Sequence, residues 1–360
     1  MKRIFASATL ALGLGLGSYG AAATAAPLEI GYLPIIPAAQ LFIAREEGTL
    51  PAEGGAPKLV QFQSGPALVQ ALLAGQLDIA YVGIGPALVA RGKGADVKVV
   101  ASNIVEQVSF VAMGELAPYF ASGDAGSAFA RFAKDKGRQP VIASYPKGAV
   151  PEAALQYWLR NRIKADPNSL KLITQGESQI QQALLTGAID GAAILEPTVT
   201  TVLTRAPQAR VVARGNDLFP RQPGAVLLVR EKLIREQPAV VQALVTRHIA
   251  ATRLLDTQPA KAAPAVQKYV GGGRLPLDIV EKAIRNSKGQ FVADPNTIIP
   301  ATLVLQKFQA DAGTLEGPPV DVTKLFDTQF YDAAVKTAAA PANAAPAKAA
   351  PAAGKPAAVR

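Results

Sequence analysis

Two segments of this chain, 112 positions apart, share one pattern of helix, glycine, apolar run and aspartate. The first reads Ala-Leu-Leu-Ala-Gly-Gln-Leu-Asp-Ile-Ala from Ala71, and the second reads Ala-Leu-Leu-Thr-Gly-Ala-Ile-Asp-Gly-Ala from Ala183. Helices rich in alanine and leucine can match by chance, but here the glycine and the aspartate match as well. The pattern therefore predicts a chain built from two similar units.

Each copy predicts the same local structure. A helix ends at Gly75 or Gly187, because glycine adopts the left-handed conformation that closes helices. A short apolar strand follows, and another helix then begins at Pro86 or Pro197. Proline is tolerated there because the N–H groups of the first helical turn have no acceptor within the helix. Helices alternating with short apolar strands are typical of a parallel sheet covered on both faces. The predicted fold class is therefore α/β.

The same alternation extends along most of the chain. Apolar runs predict strands at 28–33, 58–63, 77–82 and 97–102 in the first unit, and at 140–144, 170–174, 189–195 and 209–213 in the second. Two further apolar stretches, 108–113 and 225–229, flank the second unit, and we expect them to cross between the units. After Arg230 the chain is mainly helical as far as Lys336, and these helices should pack on the first unit.

The two ends of the chain differ from the rest. Lys2 and Arg3, an apolar run at 4–16 and a small-residue cleavage site near Ala25 predict a secretory signal peptide at 1–25. The apolar run is too short to span a bilayer. Residues 338–360 are almost entirely alanine and proline with scattered lysine, a composition that cannot form a core and predicts a disordered tail.

The remaining residues are predicted to form two lobes. Lobe 1 is discontinuous, at 26–112 and 225–337, and lobe 2 occupies 113–224. This division follows from the two similar units and from the helical segment that returns to the first of them.

Composition narrows the possible functions. The chain has no cysteine and one histidine, His248, which excludes disulfides, a lipid-modified cysteine and sites with thiolates or paired imidazoles. His248 lies in a periodic helix with no visible partners, so we interpret it as a structural residue. The net charge of +10 falls to +5 for residues 26–337, which suits an anionic ligand. Nucleic-acid binding would be indicated by a basic stripe interleaved with aromatic residues, and the sequence has none.

Ligands of open α/β sheets bind beyond the carboxyl ends of the strands, where helix N-termini offer free N–H groups. Four loops qualify, and their glycine pattern is neither a Walker A motif nor a dinucleotide fingerprint. The candidate residues in these loops are Pro37, Ala38, Gln40, Ser64, Gly65, Gly83, Ile84, Gly85, Lys147, Gly148 and Ala149.

Glu196 ends the apolar run of the second copy, immediately before Pro197. One interpretation is a solvated carboxylate that caps the next helix. The other is a cleft residue that receives a cationic or hydroxyl group of a ligand. The sequence leaves both open, and Glu196 is retained as a candidate binding residue.

These motifs together resemble the periplasmic solute-binding proteins of ABC importers. The resemblance rests on Gly31-Tyr32-Leu33-Pro34, Ser64-Gly65-Pro66, the repeated Ala-Gly-x-x-Asp, the segment 83–86, Lys147-Gly148 and Glu196-Pro197. It covers roughly residues 28–337. The subgroup that it resembles most binds sulfonates, taurine, nitrate and bicarbonate.

The resemblance implies a type II periplasmic-binding fold, in which two lobes joined by a two-strand hinge close on a solute. It also implies a periplasmic monomer that captures a small anionic solute and delivers it to a membrane permease, without cofactor or metal. In that family, helix-start N–H groups hold the anionic head group, which here would be those near Ser64-Gly65, Ile84-Gly85 and Gly148-Ala149. The chain departs from the family pattern at Leu195, where an aromatic residue is common.

Two alternatives stay open at this point. The chain could be an extracytoplasmic sensor subunit that binds a solute and reports it to a receptor, which sequence cannot separate from a transport role. It could also be an enzyme on the same scaffold, although one histidine and no cysteine leave few catalytic groups. A fold by itself does not fix the function.

Overall fold

The computed structural model describes residues 26–52, 54–121, 124–315 and 317–339. The predicted signal peptide, and residues 340–360 of the predicted tail, lie outside the described residues. The tail was predicted to begin at residue 338, but the last helix continues to Ala339.

The described residues contain ten strands. They are β1 (Glu29–Tyr32), β2 (Lys58–Gln61), β3 (Ile79–Gly83), β4 (Val97–Ser102), β5 (Ser109–Ala112), β6 (Val141–Ser144), β7 (Lys171–Thr174), β8 (Gly191–Ile194), β9 (Arg210–Ala213) and β10 (Ala225–Arg230). Every strand predicted from the apolar runs is present, with ends that move by two residues or fewer.

The helices follow most of the strands. In chain order they are α1 (Ala39–Glu46), α2 (Gly65–Leu73), α3 (Ile84–Gly92), α4 (Pro118–Ala121), α5 (Ala128–Lys136), α6 (Val150–Tyr157), α7 (Glu177–Thr186), α8 (Thr198–Arg205), α9 (Gly215–Leu218), α10 (Glu231–Glu236), α11 (Pro238–Thr257), α12 (Pro259–Gln267), α13 (Leu277–Asn286), α14 (Ile299–Asp311), α15 (Val322–Leu325) and α16 (Gln329–Ala339). Helix α6 continues as a π-helical turn, Trp158–Arg162.

The strands form two five-stranded sheets of the same design. The first has the order β2-β1-β3-β10-β4 and the second has the order β7-β6-β8-β5-β9. In each sheet the first three strands are parallel, and the fourth, β10 or β5, is antiparallel to both of its neighbours. The two similar units predicted from the repeat are therefore confirmed. We call the sheets, with the helices on them, the first and second lobes.

Two details of the prediction are wrong. The sheets are mixed instead of wholly parallel, because the stretches expected to cross between the lobes form β5 and β10 inside the sheets. Strand β5 is hydrogen bonded in the second sheet, so the boundary predicted at residue 112 falls on the wrong side of this strand. Apolar runs of this kind identify a buried strand but not the direction in which it runs.

The repeated glycine and aspartate have the same structural roles in both lobes. Gly75 and Gly187 adopt left-handed conformations, with φ of +75° and +71°. The Asp78 carboxylate accepts a hydrogen bond from the N–H of Glu29 at 2.9 Å, and the Asp190 carboxylate accepts one from the N–H of Val141 at 2.8 Å. Each aspartate thus satisfies the N–H group of the first residue of the neighbouring parallel strand.

Two chain segments connect the lobes, as predicted for a two-strand hinge. Val105 and Pro223 form an antiparallel bridge between them. The side-chain oxygen of Gln107 accepts from the N–H of Ala225 at 3.1 Å, and that of Gln222 accepts from the N–H of Val108 at 3.3 Å. These reciprocal hydrogen bonds hold the entrance to each antiparallel strand and fix the register of the hinge.

The helices after β10 pack mainly on the first lobe, as predicted, but two of them also reach the second. Helix α11 packs on α1, and α16 packs on α11 and β4. Helix α13 contacts α8, and α14 lies against both α3 and α6. The rings of Tyr157 and Phe308 are 5.1 Å apart across this last contact. The C-terminal helices therefore touch both lobes.

We predict that Asp190→Ala lowers the free energy of unfolding by about 2–3 kcal/mol, because charge-assisted hydrogen bonds are lost and a buried N–H is left without a partner. Asp190 is 8% exposed, and it also binds Arg138 through both of its oxygens at 2.7 and 2.8 Å. Asp78→Ala is the matched control and should cost about 1–2 kcal/mol, since no arginine is involved. Urea denaturation measures both, and equal losses would contradict the role of Arg138.

Candidate functional site

A pocket lies between the two lobes at the carboxyl ends of their parallel strands. We call it the inner pocket; its volume is about 40 Å³. The first lobe and hinge contribute Leu33, Ile35, Pro37, Ala38, Gly65, Tyr81, Val82, Gly83, Pro86, Gln107 and Ala225, and the second lobe contributes Tyr145, Ala149, Val150, Pro151 and Leu195. These residues are mainly apolar and none carries a formal charge. The inner pocket therefore suits the apolar part of a ligand.

Glycine allows the lobes to meet beside this pocket. A Cβ atom on Gly85 would lie 2.5 Å from the carbonyl oxygen of Gly148, and one on Gly83 would lie 2.9 Å from the side chain of Val150. Real Cβ atoms essentially never approach that closely. The start of α3 and the start of α6 can therefore approach this closely only because both positions in the first lobe lack a side chain.

A second, larger cavity of about 400 Å³ adjoins the inner pocket. We call it the outer chamber; Leu33 and Ile35 lie in the walls of both cavities. The remaining lining residues are Pro34, Gln61, Gln63, Glu177, Ser178, Gln181, Gln182, Pro197, Thr198, Gly271, Gly272, Arg274 and Leu275. Amide side chains dominate this wall, with one carboxyl group and one guanidinium group. The cleft thus has an apolar inner part and a polar outer part.

Glu177 begins α7 in the wall of the outer chamber. Its carboxyl group accepts hydrogen bonds from the hydroxyl groups of Tyr145 and Thr198. Burial raises the pKa of Glu177 to about 7; the hydrogen bond from Thr198 acts in the opposite direction, and the nearby charge of Glu196 adds to the rise. Tyr145 also lines the inner pocket, so this carboxyl group lies where the two cavities adjoin.

Glu196 is buried two residues before α8 begins, and it lines neither cavity. Its carboxyl group accepts from the N–H and the hydroxyl of Thr200 at 3.0 and 2.9 Å, and from the side-chain amide of Asn286 at 3.4 Å. The Glu196-Pro197 peptide bond is cis. The capping interpretation is therefore what the structure shows, although the group is buried and not solvated. Burial raises its pKa to about 7, against the hydrogen bonds from Thr200 and Asn286.

The structure places five of the predicted binding residues in the wall of the inner pocket: Pro37, Ala38, Gly65, Gly83 and Ala149. Ser64 is not in this wall; its hydroxyl caps α2 by accepting a hydrogen bond from the N–H of Ala67 at 3.4 Å. Lys147 is exposed and lies with Gly148 at a separate small pocket of about 10 Å³ beside α3.

Three N–H groups predicted to hold an anion are engaged within the chain. The N–H of Ile84 donates to the carbonyl oxygen of Gly224 at 2.9 Å, and that of Ala149 donates to the carbonyl oxygen of Pro146 at 3.1 Å. The N–H of Gly148 donates to the carboxyl group of Glu152, whose pKa burial raises to about 7. These donors already have acceptors, so they are not free for a ligand.

Gln40 does not supply a donor to the cleft, contrary to the prediction. Its side-chain nitrogen donates to the carbonyl oxygen of Asn103 at 2.8 Å and to the hydroxyl of Thr252 at 3.2 Å, and the residue is fully buried. It therefore joins α1 to α11 inside the first lobe. A glutamine in the first turn of a helix points to the helix's packing partner when that face is the buried one.

Sequence reasoning missed Gln107, Glu177 and Arg274. The repeat contained a signal for one of them, because the offset of 112 that aligns the two copies also places Glu177 at the position of Gly65. Gln107 and Arg274 lie outside the repeat, in the hinge and in a loop of three left-handed glycines before α13. No local pattern marks those two residues.

Within the described part of the chain, no group of three His, Cys, Asp or Glu residues could hold a metal ion. His248 lies in neither cavity; its Nε2 atom is 2.7 Å from the carbonyl oxygen of Ser102, and burial lowers its pKa to about 4. None of the helices in the described residues is both long enough and apolar enough to cross a membrane.

A protein-family model described as the NMT1-like family matches residues 21–270. The chain belongs to this family. A Brucella abortus protein named as a binding protein is 27% identical over 231 residues, which is 61% of this chain and 64% of that protein. Brucella suis and Brucella melitensis have relatives that match equally well.

Solved structures confirm the fold of this NMT1-like protein. The nitrate-binding protein NrtA of Synechocystis has a TM-score of 0.71 at 15% identity, covering 88% of this chain and 90% of NrtA. The alkanesulfonate-binding protein SsuA of Xanthomonas axonopodis, bound to MOPS, has a TM-score of 0.68 at 20% identity, covering 85% of this chain and 100% of SsuA. A ligand-binding component of a Staphylococcus aureus ABC-type import system scores 0.70 at 17% identity, covering 86% and 99%.

The raised pKa of Glu196 predicts a stability change with pH. The folded state holds the proton up to about pH 7, whereas an unfolded glutamate releases it near 4.5. Stability from this group is therefore fully present below about pH 4.5 and is lost as the pH rises towards 7. Glu196→Gln removes the loss, so its stability relative to the original chain should rise by up to roughly 3 kcal/mol between pH 4.5 and 8.

Chemical denaturation at pH 4.5, 6 and 8 measures this difference. Glu47→Gln, at an exposed position, is the matched control and should follow the original chain at all three values. A Glu196→Gln variant whose stability relative to the original chain falls as the pH rises from 4.5 to 8 would show instead that the carboxylate form is the stabilising one.

Proposed function

We propose that this protein is the solute-binding component of an ABC importer and works outside the cytoplasm. The observation that supports this most is the inner pocket, because its walls come from both lobes. The two lobes are joined by a hinge of two chain segments that pair with each other. Such an arrangement can close on a ligand and release it by rotation about the hinge. The predicted signal peptide and the names of the relatives agree with this role.

The solute that we propose is a small organic molecule with an apolar body. The inner pocket has no formally charged residue in its wall, so a fully hydrated inorganic ion would lose its water without gaining a counter-charge there. The apolar body would occupy the inner pocket. Its polar end would extend into the outer chamber.

The family resemblance implies an anionic head group. Such a group would have fewer hydrogen-bond donors than predicted, because the N–H groups of Ile84, Gly148 and Ala149 already have acceptors. The N–H groups of Gly65, Gly85 and Val150 lie in the first turns of α2, α3 and α6, where helices offer no internal acceptor. Arg274 is the cation in the wall of the outer chamber. An anion is therefore one outcome of the test below.

The permease is the partner that this function requires. A binding component presents its closed form to a membrane protein, which then accepts the solute. In the described residues both lobes and the C-terminal helices are in contact, so a partner that touches both lobes could distinguish a closed protein from an open one.

A thermal-shift screen tests the proposal. A solute that binds only the folded protein raises its melting temperature, and at about 100 times its Kd it adds about 2.7 kcal/mol. We expect at least one small organic solute to raise the melting temperature by several degrees. The Ala149→Phe variant, which fills the inner pocket, should lose this shift.

Ala310→Phe provides the control, because it adds the same side chain at an exposed position on α14. This variant should keep the shift. A shift that persists in Ala149→Phe would place the solute elsewhere, and a screen of sulfonates, carboxylates, amines and alcohols without any shift would contradict the binding function.

A further inference from the structure

The outer chamber has one carboxyl group in its wall, that of Glu177, and the surroundings of this group are unusual. Glu177 belongs to the second lobe at a position where the repeat gives the first lobe a glycine, Gly65. A carboxyl group at the first position of a helix is common, but this one faces a cavity of about 400 Å³. The cavity lies directly beside the inner pocket, because Leu33 and Ile35 line both.

We propose that Glu177 recognises a nitrogen–hydrogen group of the solute, so that the solute class is organic amines and amidines with an apolar body. This inference rests on the proposed solute-binding function and names the chemical class for that site.

The carboxyl group of Glu177 is held in a fixed orientation. The hydroxyl of Tyr145 binds one oxygen, and the hydroxyl of Thr198 binds the other. Tyr145 is also part of the inner pocket, so an apolar body in that pocket would lie next to the carboxyl group. A side chain that is already fixed before the ligand binds loses less conformational entropy on binding.

Two hydroxyl donors do not saturate a carboxylate. Its two oxygens have about four lone-pair positions, and a carboxylate has no hydrogen to donate. The remaining positions suit an N–H donor. Four glutamine side chains in the same wall, Gln61, Gln63, Gln181 and Gln182, add amide oxygens that can accept from the other hydrogens of an ammonium or amidinium group.

Charge favours the same class of ligand. The carboxyl group of Glu196 is close enough to Glu177 to act on it electrostatically, and both carboxyl groups belong to the second lobe. An anion beside Glu177 would add a third negative group to this wall, whereas a cation would stabilise both carboxylates. Arg274 is an exposed residue of the opposite lobe, and an anion bound there is the outcome that would overturn the proposal.

The test uses matched solutes that share an apolar body and differ only in the polar end. Benzyl, propyl and hexyl amines and amidines are compared with carboxylates, sulfonates and alcohols of the same bodies, by thermal shift and by calorimetry on the full mature chain. We expect the amine or amidine of at least one body to bind at least tenfold more tightly than its acid. Binding of acids alone would overturn the inference and leave the solute-binding function intact. Binding of no solute in any series would contradict both.

Variants then connect the preference to the residue. Glu177→Gln keeps the shape of the side chain and removes its charge, so amine binding should weaken at least tenfold while acid binding does not weaken. Glu152→Gln is the matched control, because Glu152 has a pKa raised to the same value but lines neither cavity; this variant should bind amines like the original chain. Unchanged amine affinity in a folded Glu177→Gln variant, with its fold checked by circular dichroism, would overturn the assignment.

Discussion

The close approach of two backbone segments, at Gly85 in one lobe and Gly148 in the other, is the constraint on which the cleft depends. A single methyl group on Gly85 would lie 2.5 Å from a carbonyl oxygen, so the lobes could not meet there. Both cavities take their walls from the two lobes and exist only in this arrangement. The hinge makes the approach possible, and the C-terminal helices α13 and α14 reinforce it from outside.

Three carboxyl groups of the second lobe, those of Glu152, Glu177 and Glu196, are costly to ionise in the folded chain. Burial raises the pKa of Glu152, Glu177 and Glu196 to about 7 in each case, which means that their ionised forms are costly. Glu152 and Glu196 accept hydrogen bonds from N–H groups at helix starts of the second lobe, and Glu196 also accepts one from the side chain of Asn286 in α13. Glu177 alone faces a cavity, so it is the one whose cost a ligand could relieve.

Much of the fold could be predicted from the sequence, because helix ends, short apolar strands and the repeated Gly and Asp are local signals. The strand at 97–102 was predicted with the bounds that the structure has. The direction of β5 and β10 could not be predicted, since it depends on the hinge between Val105 and Pro223. The site was only partly predictable. Loop glycines identified the inner pocket, but whether the N–H groups of Ile84 and Gly148 are free depends on Gly224 and Glu152, which are contacts that tertiary structure decides.

Closure of the two lobes on a solute is the central claim, and a distance between them tests it most directly. Because the chain has no cysteine, spin labels on Glu47→Cys and Lys134→Cys would report one exposed position in each lobe. The account predicts a broad distance distribution without solute, a single shorter distance with the solute that raises the melting temperature most, and a persistently longer distance when Gly85→Ala is added. One unchanged distance in all three samples, with the solute bound, would contradict it.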